Sequence, residues 1–315
     1  MMFNIVEALE NKINQEPLLK SIDSKSDKSI YFYPSQAMCY SDIDGSAIGA
    51  CVRQVWLEKN NEIITNPKSS YNNFILEAGH LWEGWLTEKY KELGIYLDNS
   101  VKIVDNEFHT SCELDIVHKN PIDNSIEVTE CKQYNGSNIY AAKDLLGTDT
   151  QYPRPKDQNL LQCVKYLLTL QKYNIQKINL LYLDRSCSGV YNNKQFVIYL
   201  DKHKIYYDTL FKGKLLTVEE ERFTTQSLID KETVLLQLLE EKVCPAVDYY
   251  PIYTKEIVEK EFKLGNLTKT RHKQLQENKV PIEDEASWQC KYCPYWKNRE
   301  TGESTCLNYG VNFEN

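Results

Sequence analysis

The placing of cysteines at the two ends of the chain constrains its fold more than any other feature. Cys290, Cys293 and Cys306 stand close together in WQCKYCPYWKNRETGESTC, one thiol short of a four-cysteine metal or cluster site. Candidates for the fourth lie far upstream, at Cys51 in GACVRQVWL and Cys39 in YFYPSQAMCYSD. A site completed by either would staple an N-terminal segment to the tail across everything between. There are 10 cysteines in 315 residues, which is neither the size nor the density of a small secreted disulfide framework. Reduced thiols favour metal or cluster ligation instead, and Cys-x-x-Cys occurs in both zinc and iron-sulfur sites. The other cysteines, at positions 39, 112, 131, 163, 187 and 244, are expected to be small core or surface residues.

No apolar run approaches the roughly 18 residues of a membrane span. The N-terminal MMFNIVEALENKINQE is too acidic and interrupted for a signal peptide, so a cytoplasmic protein without a membrane partner is expected. A net charge of -8 argues against nucleic acid as a partner if read globally. Distribution matters more, because acids gathered at a metal site can coexist with a basic groove. Lys255 to Lys279 is locally basic, and a solvated helix face explains that stretch equally well.

Organisation follows from periodicity. SAIGACVRQVWLEK reads as a short helix entered by a small-residue turn and carries Cys51. Phe74, Leu76, Leu81, Trp82, Trp85, Leu86 and Tyr90 predict a helix from Tyr71 to Leu93, ended by Gly94. His80 lies inside it, with Glu83 three residues on and near the same face. GIYLDNSVKIV, EFHTSCELDIVHK and IEVTECKQY have strand character, and NPIDNS makes the last two a hairpin. Gln158 to Lys172 patterns as a helix, INLLYLDR and KQFVIYL as strands, and Thr217 to Val243 as an acidic helix. The resulting expectation is an α/β fold, a mixed sheet flanked by helices with a C-terminal helical region. Its segments are 1–70 with the first ligating cysteine, a core over 71–205, and 206–315 with the other three.

The hairpin carries chemistry. Alternation puts Glu130 and Lys132 on one face, and Asp115 on the partner strand can stand opposite, with directly paired Cβ atoms about 5 Å apart. Two such carboxylates suit Mg²⁺ or Mn²⁺, and an imidazole from His80 would tilt the site toward Mn²⁺. Phosphodiester cleavage needs activated water, neutralised phosphate charge and help for the leaving oxygen. Metal and lysine supply these. Gln162 and Tyr166, four apart on one helix, are expected to reach substrate or the attacking water. The competing reading is an ordinary charged hairpin beside a surface amide and a core-edge tyrosine.

In this order, His80, LD at 114–115, ECK at 130–132 and QCVKY at 162–166 resemble the RecB-type nucleases of the PD-(D/E)xK superfamily. With CVRQVWL and the terminal CKYCPYW...C, the chain is similar to the CRISPR-associated iron-sulfur exonucleases and their phage relatives, from roughly Ala47 to Cys306. The resemblance implies a restriction-endonuclease-like core, a 4Fe-4S cluster on Cys51, Cys290, Cys293 and Cys306, and Mg²⁺- or Mn²⁺-dependent cleavage of DNA, often from single-stranded ends. It also implies metal ligation by His80, Asp115, Glu130 and the Cys131 carbonyl, catalysis by Lys132, and a family-marking helix motif at Gln162 and Tyr166. Arg53 and Trp56 are expected to pack over the cluster. Partner proteins of recombination or spacer acquisition fit the same resemblance. Two departures stand out: Gly79 adjoins His80 where the family often places glycine several residues earlier, and the gap from Cys293 to Cys306 is longer than the commonest one. The non-catalytic alternative is a zinc- or cluster-stabilised module that binds DNA or a protein complex.

Overall fold

A computed structural model describes residues 30–67, 70–137, 139–186, 192–298 and 300–310. The expectations for the first 29 residues and for Cys187 lie outside the described residues. In chain order the elements are β1 (Met38–Tyr40), β2 (Ala47–Gly49), α1 (Val52–Lys59), α2 (Ser70–Glu92), β3 (Tyr96–Asp105), β4 (Thr110–Lys119) and β5 (Ile126–Tyr134). They continue with α3 (Ile139–Leu146), α4 (Asp157–Leu170), β6 (Lys177–Asp184), β7 (Lys194–Asp201), β8 (Lys204–Phe211), β9 (Lys214–Glu220) and α5 (Thr225–Glu240). The short helices α6 (Lys255–Lys263), α7 (Lys269–Gln276), α8 (Trp288–Lys291) and α9 (Thr305–Asn308) complete the chain. None of the helices among the described residues is long and apolar enough to cross a membrane.

These elements separate into two compact units. One takes the described residues up to Ala50 with Asn72–Thr233; the other joins Cys51–Tyr71 to Val234–Asn315. The expected boundary at 70 falls beside the change of unit at Tyr71/Asn72, the one at 205 moves to Thr233, and a further change comes at Ala50. The sheet runs on to Glu220, and the segment beginning at Cys51 packs with the tail rather than with the residues before it.

The larger unit is mixed α/β, with a seven-stranded sheet among the described residues ordered β3-β4-β5-β6-β7-β8-β9. The β4–β5 hairpin forms as expected, with Ile116 opposite Thr129, and its turn is held by Asn120 and Ser125. β5 and β6 run parallel, joined through α3 and α4, while the other neighbours are antiparallel. Leu160, Leu161, Val164 and Leu167 of α4 are buried against Val128, Ile178, Leu180, Phe196 and Ile198 of the sheet. Each large aliphatic side chain so buried stabilises the fold by roughly 1.5–3 kcal/mol.

The expected helix over Thr217–Val243 begins only at Thr225, because Thr217–Glu220 belongs to β9. Lys212 (φ 50) and Gly213 (φ 75) form the two-residue turn between β8 and β9. Two consecutive positive φ values match the twist of a tight hairpin, and glycine adopts one of them without strain. Pairing across this hairpin overrides the helical look of an acidic, leucine-bearing stretch.

The sheet face under α2 carries a polar layer. Glu127 accepts from Asn120 (2.8 Å) and Asn179 (2.6 Å), Gln195 donates to Asn179 (2.7 Å), and Tyr90 meets Thr129 at 2.9 Å. Both Glu127 oxygens are thus satisfied by amides. No cation is needed there.

Candidate metal centre and thiol pocket

Strand alternation on β5 places Glu130 and Lys132 together, and the contact is close: Lys132 Nζ lies 2.5 Å from Glu130 Oε1. Gln162, one turn into α4, donates to the same oxygen at 2.7 Å and to Tyr166 Oη at 3.1 Å, and Tyr166 donates to the Glu113 carbonyl at 3.2 Å. Gln162 and Tyr166 are buried. Gln162 holds Glu130 and Tyr166 is tied to β4, so both are buried under the helix and do not face outward.

Asp115 reaches the centre because β4 and β5 part company there. The ladder's pairing ends at Ile116 and Thr129, and the next free amide, Cys131 N–H, donates to Asp115 Oδ2 at 2.8 Å. In a strand the N–H and C=O of one residue point to the same side, so the Cys131 carbonyl is directed toward β4 and Asp115 as well. The Cys131 side chain alternates to the α2 face.

Burial pushes the Asp115 carboxyl well above the usual carboxylate range, and Glu130 adds to the effect against the Cys131 amide and Lys132. Burial disfavours the Lys132 charge, yet the attraction of Glu130, its hydrogen bond and Asp115 together raise that amine. Lys132 therefore stays cationic at neutral pH. Glu130 Oε2 is buried with no hydrogen-bond partner. An orphaned carboxylate oxygen is costly, and in this Glu130 differs from the satisfied Glu127 three residues away. Hard oxygen donors of this kind fit Mg²⁺ or Mn²⁺. Among the described residues, no three His, Cys, Asp or Glu side chains are gathered tightly enough to hold a metal ion as they stand.

A carboxyl raised by folding stabilises the chain below the ordinary carboxylate range and loses that contribution as pH climbs through the raised value. Asp115→Asn should therefore become progressively more stable relative to the parent as pH rises from about 4 toward neutrality in chelator, the lower limit being the ordinary Asp value. Thermal unfolding across that range checks it; a pH-independent difference would contradict a raised Asp115.

His80 sits apart from this group. Its side chain is 76% exposed and Nδ1 lies 3.7 Å from Glu83 Oε2. No described hydrogen bond or ion pair joins it to Asp115, Glu130 or Lys132. The sequence placed Glu83 beside His80 on one helix face but gave it no role, and that contact forms. Burial raises its carboxyl, His80 opposes, and Glu130 and Glu113 raise it further.

The smaller unit brings the four expected thiols together. Cys51, Cys290, Cys293 and Cys306 line one pocket of about 350 Å³ of atom-free space with Gln54, Leu57, Val247, Tyr249, Gln289 and Trp296. Cys51 caps the start of α1, where Asp248 accepts from Val52 N–H at 2.5 Å. Thr65 and Asn66 donate their amides to the Pro294 carbonyl (3.1 and 2.8 Å), and the Asn66 side chain donates to the Cys293 carbonyl (2.9 Å). These clamps hold the Cys-x-x-Cys loop, and sequence reasoning missed them. Cys306 joins despite its long gap, through its amide to the Tyr295 carbonyl at 2.9 Å.

Arg53 stands by one of the four thiols, its charge and a side-chain hydrogen bond opposing the rise that burial gives Cys306, whereas Trp56 acts differently from expectation. Arg53 is buried and donates to the carbonyls of Pro245 (2.7 Å), Cys306 (3.2 Å) and Gly310 (2.5 Å), while Trp56 meets Tyr309 edge-on at 5.6 Å. They secure the tail; Trp296 lines the pocket. Cys39 is buried in the core of the larger unit. Burial raises the Cys51 and Cys293 thiols to about 12 and lifts Cys290 and Cys306 too, so all four keep their protons at neutral pH unless a metal takes them as thiolates. Four soft sulfur donors on one pocket wall fit a cluster or zinc.

No family model, no curated protein and no solved structure matches this chain.

Proposed function

We propose that the chain is a metal-dependent deoxyribonuclease of the RecB-like PD-(D/E)xK type, degrading DNA from single-stranded ends, with a structural 4Fe-4S cluster. The observation that carries the reading is Glu130: buried, oriented by Gln162, touched by Lys132, close to Asp115, and left with one unpartnered oxygen. Asp115 and Glu130 would hold Mg²⁺ or Mn²⁺ with the Cys131 carbonyl. A divalent ion, when bound, supplies a Lewis acid and acidifies coordinated water. Lys132, kept cationic by its two acids, donates to the attacking water or a phosphate oxygen and offsets charge growing on the phosphate. Gln162 and Tyr166 keep the Glu130 carboxylate in one orientation, which shortens the search for a reactive geometry. The restriction-endonuclease-like assignment is supported by the mixed sheet and by a site at the place where its strands part.

A cluster is preferred over zinc because a lone cysteine far upstream joins a three-cysteine group, whereas structural zinc usually collects its ligands as two local pairs. Cys290→Ala should abolish visible iron-sulfur absorbance and lower solubility, because the group would tie α1 to the tail within this unit. A variant with full absorbance and stability would exclude Cys290 as a ligand.

The deciding test is anaerobic purification, a visible spectrum with iron analysis, and incubation with end-labelled single-stranded DNA and Mn²⁺ or Mg²⁺. Brown protein with about four irons per chain and metal-dependent end degradation is the expected result. Colourless zinc protein without cleavage would overturn it in favour of a binding or scaffolding module.

A further inference from the structure

The sheet of the larger unit ends at β3 on one side and at β9 on the other, and the two edges differ. β3 carries a break in register between Tyr96 and Asp98 and a left-handed residue at Ser100 (φ 54), irregularities of the kind that keep an edge from pairing with another chain. β9 has neither. Lys214–Glu220 pairs with β8 residue for residue, from Lys214 opposite Phe211 to Glu220 opposite Ile205. Among the described residues β8 is its one strand neighbour.

The two-residue turn fixes which groups of β9 face outward. It makes Phe211 and Lys214 a hydrogen-bonded pair, and alternation from there sends the N–H and C=O of Leu215, Thr217 and Glu219 away from β8. Among the described residues no further backbone hydrogen bond takes these groups up. A regular edge with free amides and carbonyls is a template for another strand. Its rim is apolar as well: Leu215 is 69% exposed and its β8 partner Leu210 67%, while Leu216 and Val218 are half-buried on the opposite face.

The sequence of β9 selects the strand that fits. KLLTVEE is basic at its start and acidic at its end. A parallel copy in register would set like charges side by side. An antiparallel copy centred on Thr217 sets Lys214 opposite Glu220, Leu216 opposite Val218 and Leu215 opposite Glu219, while Thr217 meets itself. The same register aligns the outward-facing residues of one copy with those of the other, so that each can exchange both main-chain hydrogen bonds with its counterpart.

The geometry points to β9 as a self-pairing edge: two copies of this chain join antiparallel about Thr217, and one sheet continues into the other. Such an interface is two-fold and self-complementary. It is independent of the metal and thiol readings.

The test is analytical ultracentrifugation of the full chain over a range of concentrations, for parent, T217P, T217K, T217E and an equimolar mixture of the last two. The Thr217 side chain is exposed and donates to Asp208 at 2.7 Å, and its main-chain groups face away from β8, so each variant keeps the β8–β9 ladder. The parent should form a dimer. T217P, which removes the outward N–H from both copies, should weaken it by about tenfold or more. T217K and T217E each place like charges opposite one another and should weaken it by about fivefold, and their mixture should recover pairing, which only a residue facing its own copy produces. Circular dichroism checks folding, and the charged pair serves if T217P does not fold. A parent that stays monomeric would overturn the inference, as would a dimer unmoved by T217P and T217K or a mixture no tighter than its separate components.

Discussion

Lys132→Ala is expected to lower Mn²⁺-dependent cleavage of single-stranded DNA by about 10²–10³-fold, the usual effect of deleting one electrostatic stabiliser from a reaction centre. The loss should appear in kcat, because Lys132 offsets charge that grows only as the phosphodiester reacts. Metal binding should survive, since removing a cation that competes for Glu130 Oε1 leaves both carboxylates available. Lys132 is 28% exposed, and its removal leaves buried Glu130 with the Gln162 hydrogen bond but without its cation, so some stability is lost and cleavage is compared at a temperature where the variant is folded. Cleavage unchanged in this variant would reject the centre; cleavage lost with DNA binding retained would support it.

The largest expected stability effect lies elsewhere in the same unit. Lys165 of α4 is buried, pairs with buried Glu232 of α5 and donates to the Phe108 carbonyl at 2.7 Å. Glu232 Oε1 has no partner. Lys165→Met would strand a buried carboxylate, and loss of about 3–5 kcal/mol is expected. Burial raises the Glu232 carboxyl and Lys165 opposes it. With the lysine gone the raised carboxyl stabilises only while protonated, so the deficit should shrink as pH falls and grow as pH rises. A double replacement, Lys165→Met with Glu232→Leu, should recover most of the loss, since a well-packed apolar pair replaces a buried ion pair at little cost. Urea unfolding of the three proteins is the check. A single variant as stable as the parent would show that Glu232 finds water.

Neither buried role was read from the sequence. Lys165 falls among Leu161, Val164 and Leu168 on a helix that shows its apolar stripe plainly, yet periodicity does not reveal that the next position is buried against α5. Gln162 and Tyr166 illustrate the same gap. Their spacing identified a shared helix face, but whether that face met solvent or Glu130 depended on how α4 lay across the sheet. His80 and Glu83 share a helix face and touch, as their spacing indicated, but which of the two is the more buried depended on how α2 docks.

Local signals determined a good deal. Alternating residues and the Asn120–Ser125 turn were enough to specify the β4–β5 hairpin, and with it the common face of Glu130 and Lys132. Repeated leucines specified α4, Gly94 the end of α2, and thiol chemistry the likeness of Cys51 to the three terminal cysteines. These properties are set by residues within a turn or a pleat of one another, where backbone geometry leaves few choices. Tertiary structure alone decided the rest: that β4 and β5 separate at Asp115, that Glu130 Oε2 is left without a partner while Glu127 is satisfied, and that Cys51 and not Cys39 shares a pocket with the tail. Each depends on contacts between segments far apart in the chain, and a sequence records which surfaces must be buried without recording against what.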